Sequence, residues 1–272
     1  MERKIHNSLP LYHFGNLNRF NEIFHFVTSR EGGFSTGVYS SFNLGYGTKE
    51  PVEIIIKNRK LLAESIGINP EQLVFQYQIH SDKIEYISEL QHERESCERD
   101  AMVTDKPGIC LCVKGADCVP LLFYDKENRI IGAAHAGWKG TLSQIGRKLV
   151  EKMMQEFGSK PQNIYVGIGP SIGPKDYEVG EDVAEQFAFV FKSNTDYVMR
   201  HQNKKVFLDF WTVNKIQITQ LGVPEDNIEI SGISSFSNSN IFYSHRKSGG
   251  KTGRFAAGIM LKSNINKTNA TN

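Results

Sequence analysis

Three apolar runs follow one another in mid-chain: GICLCV (108–113), VPLLFYD (119–125) and RIIGAAH (129–135). Each is short and bounded by turn residues, which is the pattern of a buried strand. The segment TLSQIGRKLVEKMMQEFG (141–158) then changes period. Leu142, Ile145, Leu149 and Met153 share one stripe and Gly158 ends it, so a helix is predicted. NIYVGIGP (163–170) returns as a strand. Strands in direct succession, mixed with strands separated by helices, predict an α+β (mixed α/β) fold, layered, with mixed sheets flanked by helices.

The flanking regions fit that frame. PVEIIIKNRKLLAESIG (51–67) reads as a helix with Val52, Ile55, Ile56, Leu62, Ala63 and Ile66 on one stripe, Pro51 in the first turn and Gly67 as its stop. A third helix is predicted over about 180–192, with Val183, Phe187, Val190 and Phe191 on one face. LDFWTVNKIQITQLGV (208–223) reads as a fourth, N-capped by Asp209 and stopped at Gly222. NIEISG, IFYSHR and RFAAGIML read as late strands, and the charged stretch LQHERESCERD (90–100) as an exposed loop. With no internal repeat or low-complexity linker, residues 1–262 are expected to form a single domain and 263–272 a polar, frayed tail.

The chain has 272 residues, enough for a core without staples. A net charge of +2 carries no field that would select nucleic acid or a membrane surface, and no apolar run approaches the roughly 18 residues of a membrane span. The N-terminus lacks a continuous apolar stretch of the signal-peptide kind, so a cytoplasmic protein with reduced thiols is expected. Of the four cysteines, Cys110 and Cys112 are spaced to share one strand face as small hydrophobes, and Cys97 falls in the charged loop.

Cys118 is different, as are His80 in QYQIHSDKI and His135 in IGAAHAGWKG: each sits at a strand end beside turn residues, where ligands gather. A histidine there can equally be a hydrogen-bonded structural residue, and a cysteine a core residue. The separations match no local zinc pattern such as C-x-x-C or H-E-x-x-H, so spacing leaves the question open. Two imidazoles and a thiolate do form a three-ligand set for catalytic zinc that keeps a fourth position free. Cys118 can instead be a nucleophile with His135 as its base, as in cysteine hydrolases. A metal site requires all three side chains to converge; the Cys/His pair does not need His80.

Basic, glycine-rich turns add a second element. TSREGGFSTGVYSSFNLG (28–45) holds Arg30 and Asn43, SHRKSGGKTGRF (244–255) holds His245, Arg246, Lys247, Lys251 and Arg254, and Lys139 opens a helix. Backbone amides with Arg or Lys at such turns suit phosphate, although none matches a phosphate-loop or dinucleotide fingerprint.

Taken in order, TSREGGFS, FNLG, QIHSD, DAMVT, GADCVPLLFYD, AAHAGWKGTL, GIGPSIGPKDYEVG, LDFWTVNKIQITQLGV and FYSHRKSGGKTGRFAAGIML resemble the YfiH-type laccase-domain proteins, long labelled polyphenol oxidases. The resemblance runs from about residue 25 to 262. It implies a layered αβ fold similar to that of cysteine hydrolases of the deamidating-toxin type. It implies a metal, zinc ahead of copper, held by His80, Cys118 and His135, and an active-site arginine at Arg30. It implies purine nucleoside phosphorylase activity on adenosine, inosine, guanosine and methylthioadenosine, with adenosine deaminase as a second activity. Its partners would be purine nucleosides and phosphate. The basic turns of this chain make Arg30, Asn43, Lys139, Arg246 and Arg254 the candidate contacts, and nearness in sequence to the three donors makes Asp82, Asp100 or Asp117 the candidate proton shuttles. The oligomeric state is open.

The chain departs from the family pattern at Ser171 and SSFSNSN, where many members carry cysteine, and at His245 and Lys247, where Tyr and Arg are usual. The older laccase label conflicts with composition: eight histidines include no His-x-His pair, and three ligands hold one ion, not a multicopper cluster.

Overall fold

The computed structural model describes residues 1–90, 97–192 and 195–263. Its strands are Glu2–His6 (β1), Leu9–His13 (β2), Ile23–Thr28 (β3), Leu73–Phe75 (β4), Ile84–Tyr86 (β5), Ala101–Thr104 (β6), Cys110–Gly115 (β7), Val119–Asp125 (β8), Ile130–Ala136 (β9), Ile164–Ile168 (β10), Glu178–Val179 (β11), Met199–Gln202 (β12), Lys205–Leu208 (β13), Ile228–Ile230 (β14) and Phe255–Leu261 (β15). The helices are Val52–Ser65 (α1), Trp138–Leu142 (α2), Ile145–Phe157 (α3), Glu181–Phe191 (α4), Thr195–Val198 (α5) and Phe210–Thr219 (α6).

Two six-stranded mixed sheets carry the fold, ordered β1-β2-β3-β15-β7-β4 and β14-β10-β8-β9-β6-β5; a small third sheet is ordered β11-β13-β12. Period-two alternation sorts the side chains into layers. Along β8, Leu122 and Tyr124 join Leu111, Val113, Phe255 and Ala257 in a core between the two large sheets. The intervening Val119, Leu121 and Phe123 face the other way, into a core shared with α3, α4 and α6. On the far side of the first sheet, Cys110, Cys112, Leu11 and Phe26 pack with Leu62 and Ala63 of α1. Helix, sheet, sheet, helix is thus the layer order, and both cysteines of GICLCV are core residues on one face.

The helix expected over 141–158 is two. Gln144 takes a left-handed conformation (φ 62°) and breaks it. Both pieces pack on β9, and Leu149 of α3 sits against the bare Cα of Gly132. IFYSHR is not a strand: Ile241 and Phe242 close turns on Asn238, and Phe242 and Tyr243 plug the inter-sheet core. On α1, Ile55, Leu62 and Ala63 are buried as expected, but Val52 and Ile56 are about half exposed (50% and 51%). Buried Asn58 explains the shift: its amide bonds Ser35 Oγ (2.9 Å) and the Asn43 carbonyl (2.8 Å), so a polar loop covers that half of the helix. On α4, Phe187 and Phe191 are buried whereas Val190 is exposed. Asp209 caps α6 by accepting from Thr212 N (3.0 Å), as its position predicts. Most of the stretch 90–100 and of the polar tail lies outside the described residues. No helix among the described residues is long and apolar enough to cross a membrane.

Candidate metal centre and cleft

The strand β9 delivers His135. It continues the series Ile131, Ala133 that points between the sheets, at the end where the sandwich opens. Cys118 immediately precedes β8, whose register sets Pro120 opposite His135, so the two side chains meet at one sheet end. His80 arrives from the other sheet, on the loop that follows β4, in a left-handed conformation (φ 61°).

Asp100 holds this arrangement. Its carboxylate accepts from the backbone N–H groups of Ile79 (3.2 Å), His80 (3.1 Å) and Ser81 (2.7 Å) and from Ser81 Oγ (2.7 Å). The same carboxylate faces His135 Nδ1 at 2.8 Å. A carboxylate on Nδ1–H fixes the tautomer that leaves Nε2 as the lone-pair nitrogen, the usual outer-shell device of a histidine ligand.

One ligand atom from each of His80, Cys118 and His135 lies within 4.8 Å of the others. The donor set suits a borderline cation such as zinc or copper, and its charge of one thiolate suits a divalent ion with an open position. Gly137 reinforces that fit. A Cβ built there would lie 2.4 Å from His80 Nδ1 and 3.2 Å from Cys118 Sγ, so only glycine lets the donors close up. Without a cation the donors polarise one another. Burial pushes the Cys118 thiol up, but the His135 and His80 rings overcome it and pull it down to about 6. Burial pushes His135 down, but the Cys118 sulfur and Asp100 carry it up to about 9. A cation held by the three donors would take over the role of the shared proton charge.

The centre lies at a cleft of about 800 Å³, whose walls include Lys114, Tyr177, His245, Arg246 and Arg254. Asp117 ties the wall to the floor: beside Cys118, it accepts from Ser235 Oγ (2.7 Å) and from the backbone N–H of Arg246 (2.6 Å). Arg246 also donates to the Glu178 carbonyl (2.8 Å). Arg254 is bound to the Thr252 and Gly253 carbonyls (both 2.9 Å).

The other sequence candidates stand further back. Asn43 is buried behind Arg254, accepting from Arg254 N (2.8 Å) and Gly45 N (3.1 Å), and so shapes the cleft without lining it. Arg30 donates to the carbonyls of Ser40 (2.8 Å) and Ser239 (2.7 Å) with its guanidinium over the Tyr243 ring, away from the cleft wall. Lys139 is exposed over Trp138 and also stands off the wall. Asp82 pairs with Lys148 at the surface. Nothing in the sequence singles out two cleft residues, Lys114 and Tyr177, or Gly137 beside the donors. Lys114 directly follows the predicted strand 108–113, Tyr177 sits in the motif KDYEVG, and Gly137 reads as a turn glycine; its place two residues after His135 in A-H-A-G-W was the available signal.

Fold and donor set together define an α+β sandwich whose opened end can hold a single metal ion in a basic cleft. The chain belongs to the family described as multi-copper polyphenol oxidoreductase laccase, whose profile matches residues 24–262. It is 37% identical over 257 residues to a purine nucleoside phosphorylase of Bacteroides thetaiotaomicron, covering 90% of this chain and 94% of the relative. It is 31% identical to purine nucleoside phosphorylase YlmD of Bacillus subtilis, covering 94% and 95%. Among solved structures, it is similar to YfiH of Bacillus licheniformis (TM-score 0.86, 30% identity, 93% and 96% covered). It is likewise similar to YlmD of Geobacillus stearothermophilus (TM-score 0.81, 28% identity, 90% and 93% covered).

Proposed function

We propose that this chain is a zinc-dependent purine nucleoside phosphorylase of the cytoplasm, acting on adenosine, inosine, guanosine and methylthioadenosine, with adenosine deamination as a side activity. The observation that carries the reading is the convergence of His80, Cys118 and His135 at a cleft that Arg246 and Arg254 also line. The relatives named purine nucleoside phosphorylase support the reaction class.

Phosphorolysis breaks the bond between C1′ and the purine nitrogen as a phosphate oxygen attaches to C1′, through an oxocarbenium-like transition state. Two guanidiniums among the cleft residues suit a phosphate dianion, which they would hold by charge-assisted hydrogen bonds beside the sugar. Asp117 fixes the turn that carries Arg246, so that phosphate and metal centre keep a set distance. Asn43 does the same for Arg254 from behind. Arg30 and Lys139 act from outside the wall, Arg30 by bracing the segments at Ser40 and Ser239. A cation held by His80, Cys118 and His135 supplies Lewis-acid polarisation when bound.

A second reading rests on the thiol of Cys118, drawn down to about 6 beside a His135 that Asp100 orients: the order of a Cys/His hydrolase. The participation of His80 favours the metal. Metal analysis of the purified protein, combined with product assay on adenosine plus phosphate, tests both. Adenine with ribose 1-phosphate is the expected product, inosine marks deamination, and metal-free protein that retains both activities contradicts the proposal.

A further inference from the structure

Phosphorolysis leaves the electron pair of the broken glycosidic bond on the purine. An unprotonated purine anion is a poor leaving group, so an acid positioned near the base accelerates the step. The acidic side chains at the centre are already committed. Both oxygens of Asp100 are occupied by the His80 loop and His135. Both oxygens of Asp117 are occupied by Ser235 and Arg246. Asp82 is at the surface. Arg246 and Arg254 cannot give up a proton at any working pH, and His80 and His135 are the proposed metal ligands. Of the other proton donors on the wall, His245 is exposed and Lys114 donates its ammonium to the Gln76 carbonyl (3.1 Å).

Tyr177 remains. It lies on the wall of the cleft that also contains Cys118 and His135. Its ring is held on two sides, with the Phe210 ring centroid 4.6 Å away and the Arg246 guanidinium 5.1 Å over its centre. Its hydroxyl has no hydrogen-bond partner among the described residues, although it is not in open solvent. A braced ring on a residue that lines the cleft, with no hydrogen bond to its O–H among the described residues, is a donor awaiting an acceptor. Of the other two tyrosines of the cleft, Tyr77 is 53% exposed, and the ring of Tyr46 lies 4.0 Å beneath Arg59, which does not itself line the cleft as Arg246 does.

We infer that the Tyr177 hydroxyl is the general acid that protonates the departing purine. The inference rests on the phosphorolysis proposed above. As the C1′–N9 bond breaks and a phosphate oxygen bonds to C1′, the bonding pair passes to the purine and the phenolic proton passes to a ring nitrogen, N7 being the exposed one. The Arg246 cation stabilises the transient phenolate, and the proton of the hydrogen phosphate dianion restores the phenol. The sum is nucleoside plus hydrogen phosphate to neutral purine plus ribose 1-phosphate. Burial pushes Tyr177 up to about 12 and the Arg246 cation opposes that rise, so the hydroxyl carries its proton at working pH.

The test compares two leaving groups in wild type and Tyr177→Phe. Inosine needs the proton; 7-methylguanosine, whose base departs uncharged, does not. For inosine, kcat should fall about 100-fold or more in the variant, in line with the loss of one general acid. For 7-methylguanosine, the fall should stay below about five-fold on the same grounds. Equal losses on both substrates, or an unaffected inosine rate, would overturn the inference. Metal content per chain and the urea midpoint of the variant should match wild type, which separates lost chemistry from lost structure. Difluorotyrosine at position 177, a more acidic phenol of the same shape, should shift the alkaline limb of the inosine pH profile downward; an unshifted limb also overturns it. If wild type makes no ribose 1-phosphate at all, the phosphorolysis reading fails and takes this inference with it; an active wild type with an indifferent variant defeats the inference alone.

Discussion

Asp100 and His135 are joined twice: His135 Nδ1 lies 2.8 Å from Asp100 Oδ1, and the His135 backbone N–H donates to the Asp100 carbonyl at 2.7 Å. The same carboxylate gathers the loop bearing His80, so one buried side chain (1% exposed) sets the direction of two candidate ligands from different sheets. Burial pushes its pKa up, yet His135 and Ser81 hold it below the usual carboxylate range. Asp100→Asn keeps the shape but loses the charge and one acceptor. Metal affinity should fall about 10- to 100-fold, as for other outer-shell partners of a histidine ligand. Competition with a chromophoric chelator measures it; unchanged affinity would mean that the carboxylate only braces the loop.

Gly137→Ala should empty the metal centre without unfolding the protein. The added methyl meets His80 Nδ1 at 2.4 Å, and the exposed His80 side chain can swing away while Asp100 keeps its backbone in place, so the cost falls on convergence of the donors and not on the core. Metal per chain should drop well below that of wild type at equal chelator concentration, with the thermal midpoint of the two metal-free proteins the same within a few degrees. A variant that holds metal as wild type does would show that His80 is not a ligand.

In metal-free protein Cys118 should be the reactive thiol. With its pKa drawn down to about 6 it is largely thiolate at neutral pH, whereas Cys110 and Cys112 are fully buried, and the contact with Cys112, then burial, holds Cys110 well above the ordinary range. Iodoacetamide labelling at Cys118, read by peptide mass spectrometry, should rise with pH through about 6 and then level off. Zinc added beforehand should block it. Labelling that ignores the metal would favour the nucleophile reading.

How much of this was legible in the sequence follows from how local each signal is. The strands β7, β8 and β9, the stop at Gly158 and the cap at Asp209 are written in neighbouring residues, and the chain forms them as read. The hairpin β1–β2 left no such mark. Its outer strand is almost wholly exposed and charged, Pro10 interrupts the inner one, and the turn is made by Asn7 and Ser8, both at positive φ (45° and 75°). For the site, residue chemistry named the three donors, but their meeting depends on Asp100 bridging two sheets and on the missing side chain at Gly137. Neither is visible in spacing, because each acts through contacts between segments distant along the chain. Arg30 shows the converse: a basic residue in a glycine-rich turn reads as a phosphate contact, yet backbone carbonyls engage its guanidinium.

The first sheet carries a pH dependence of its own, remote from the cleft. His6 and His13 face each other with Nε2 atoms 3.0 Å apart, and His13 abuts the ring of His25, whose Nε2 accepts from Phe14 N at 2.8 Å. Burial, then mutual repulsion, lowers His13 to about 4 and His25 to about 3 from an ordinary 6.5. The folded state therefore refuses protons that the unfolded chain accepts. This contribution to stability is complete above pH 6.5 and is lost as pH falls toward those values. For His25 alone the loss down to pH 4.5 is about 2–3 kcal/mol, at roughly 1.4 kcal/mol per unit. His25→Gln offers a side-chain oxygen to Phe14 N and cannot titrate. Its urea unfolding free energy should start below wild type at pH 7 and fall by about 2 kcal/mol less on going to pH 4.5. Parallel pH profiles for the two proteins would show that His25 is charged in the fold, and the buried neutral cluster would have to be abandoned.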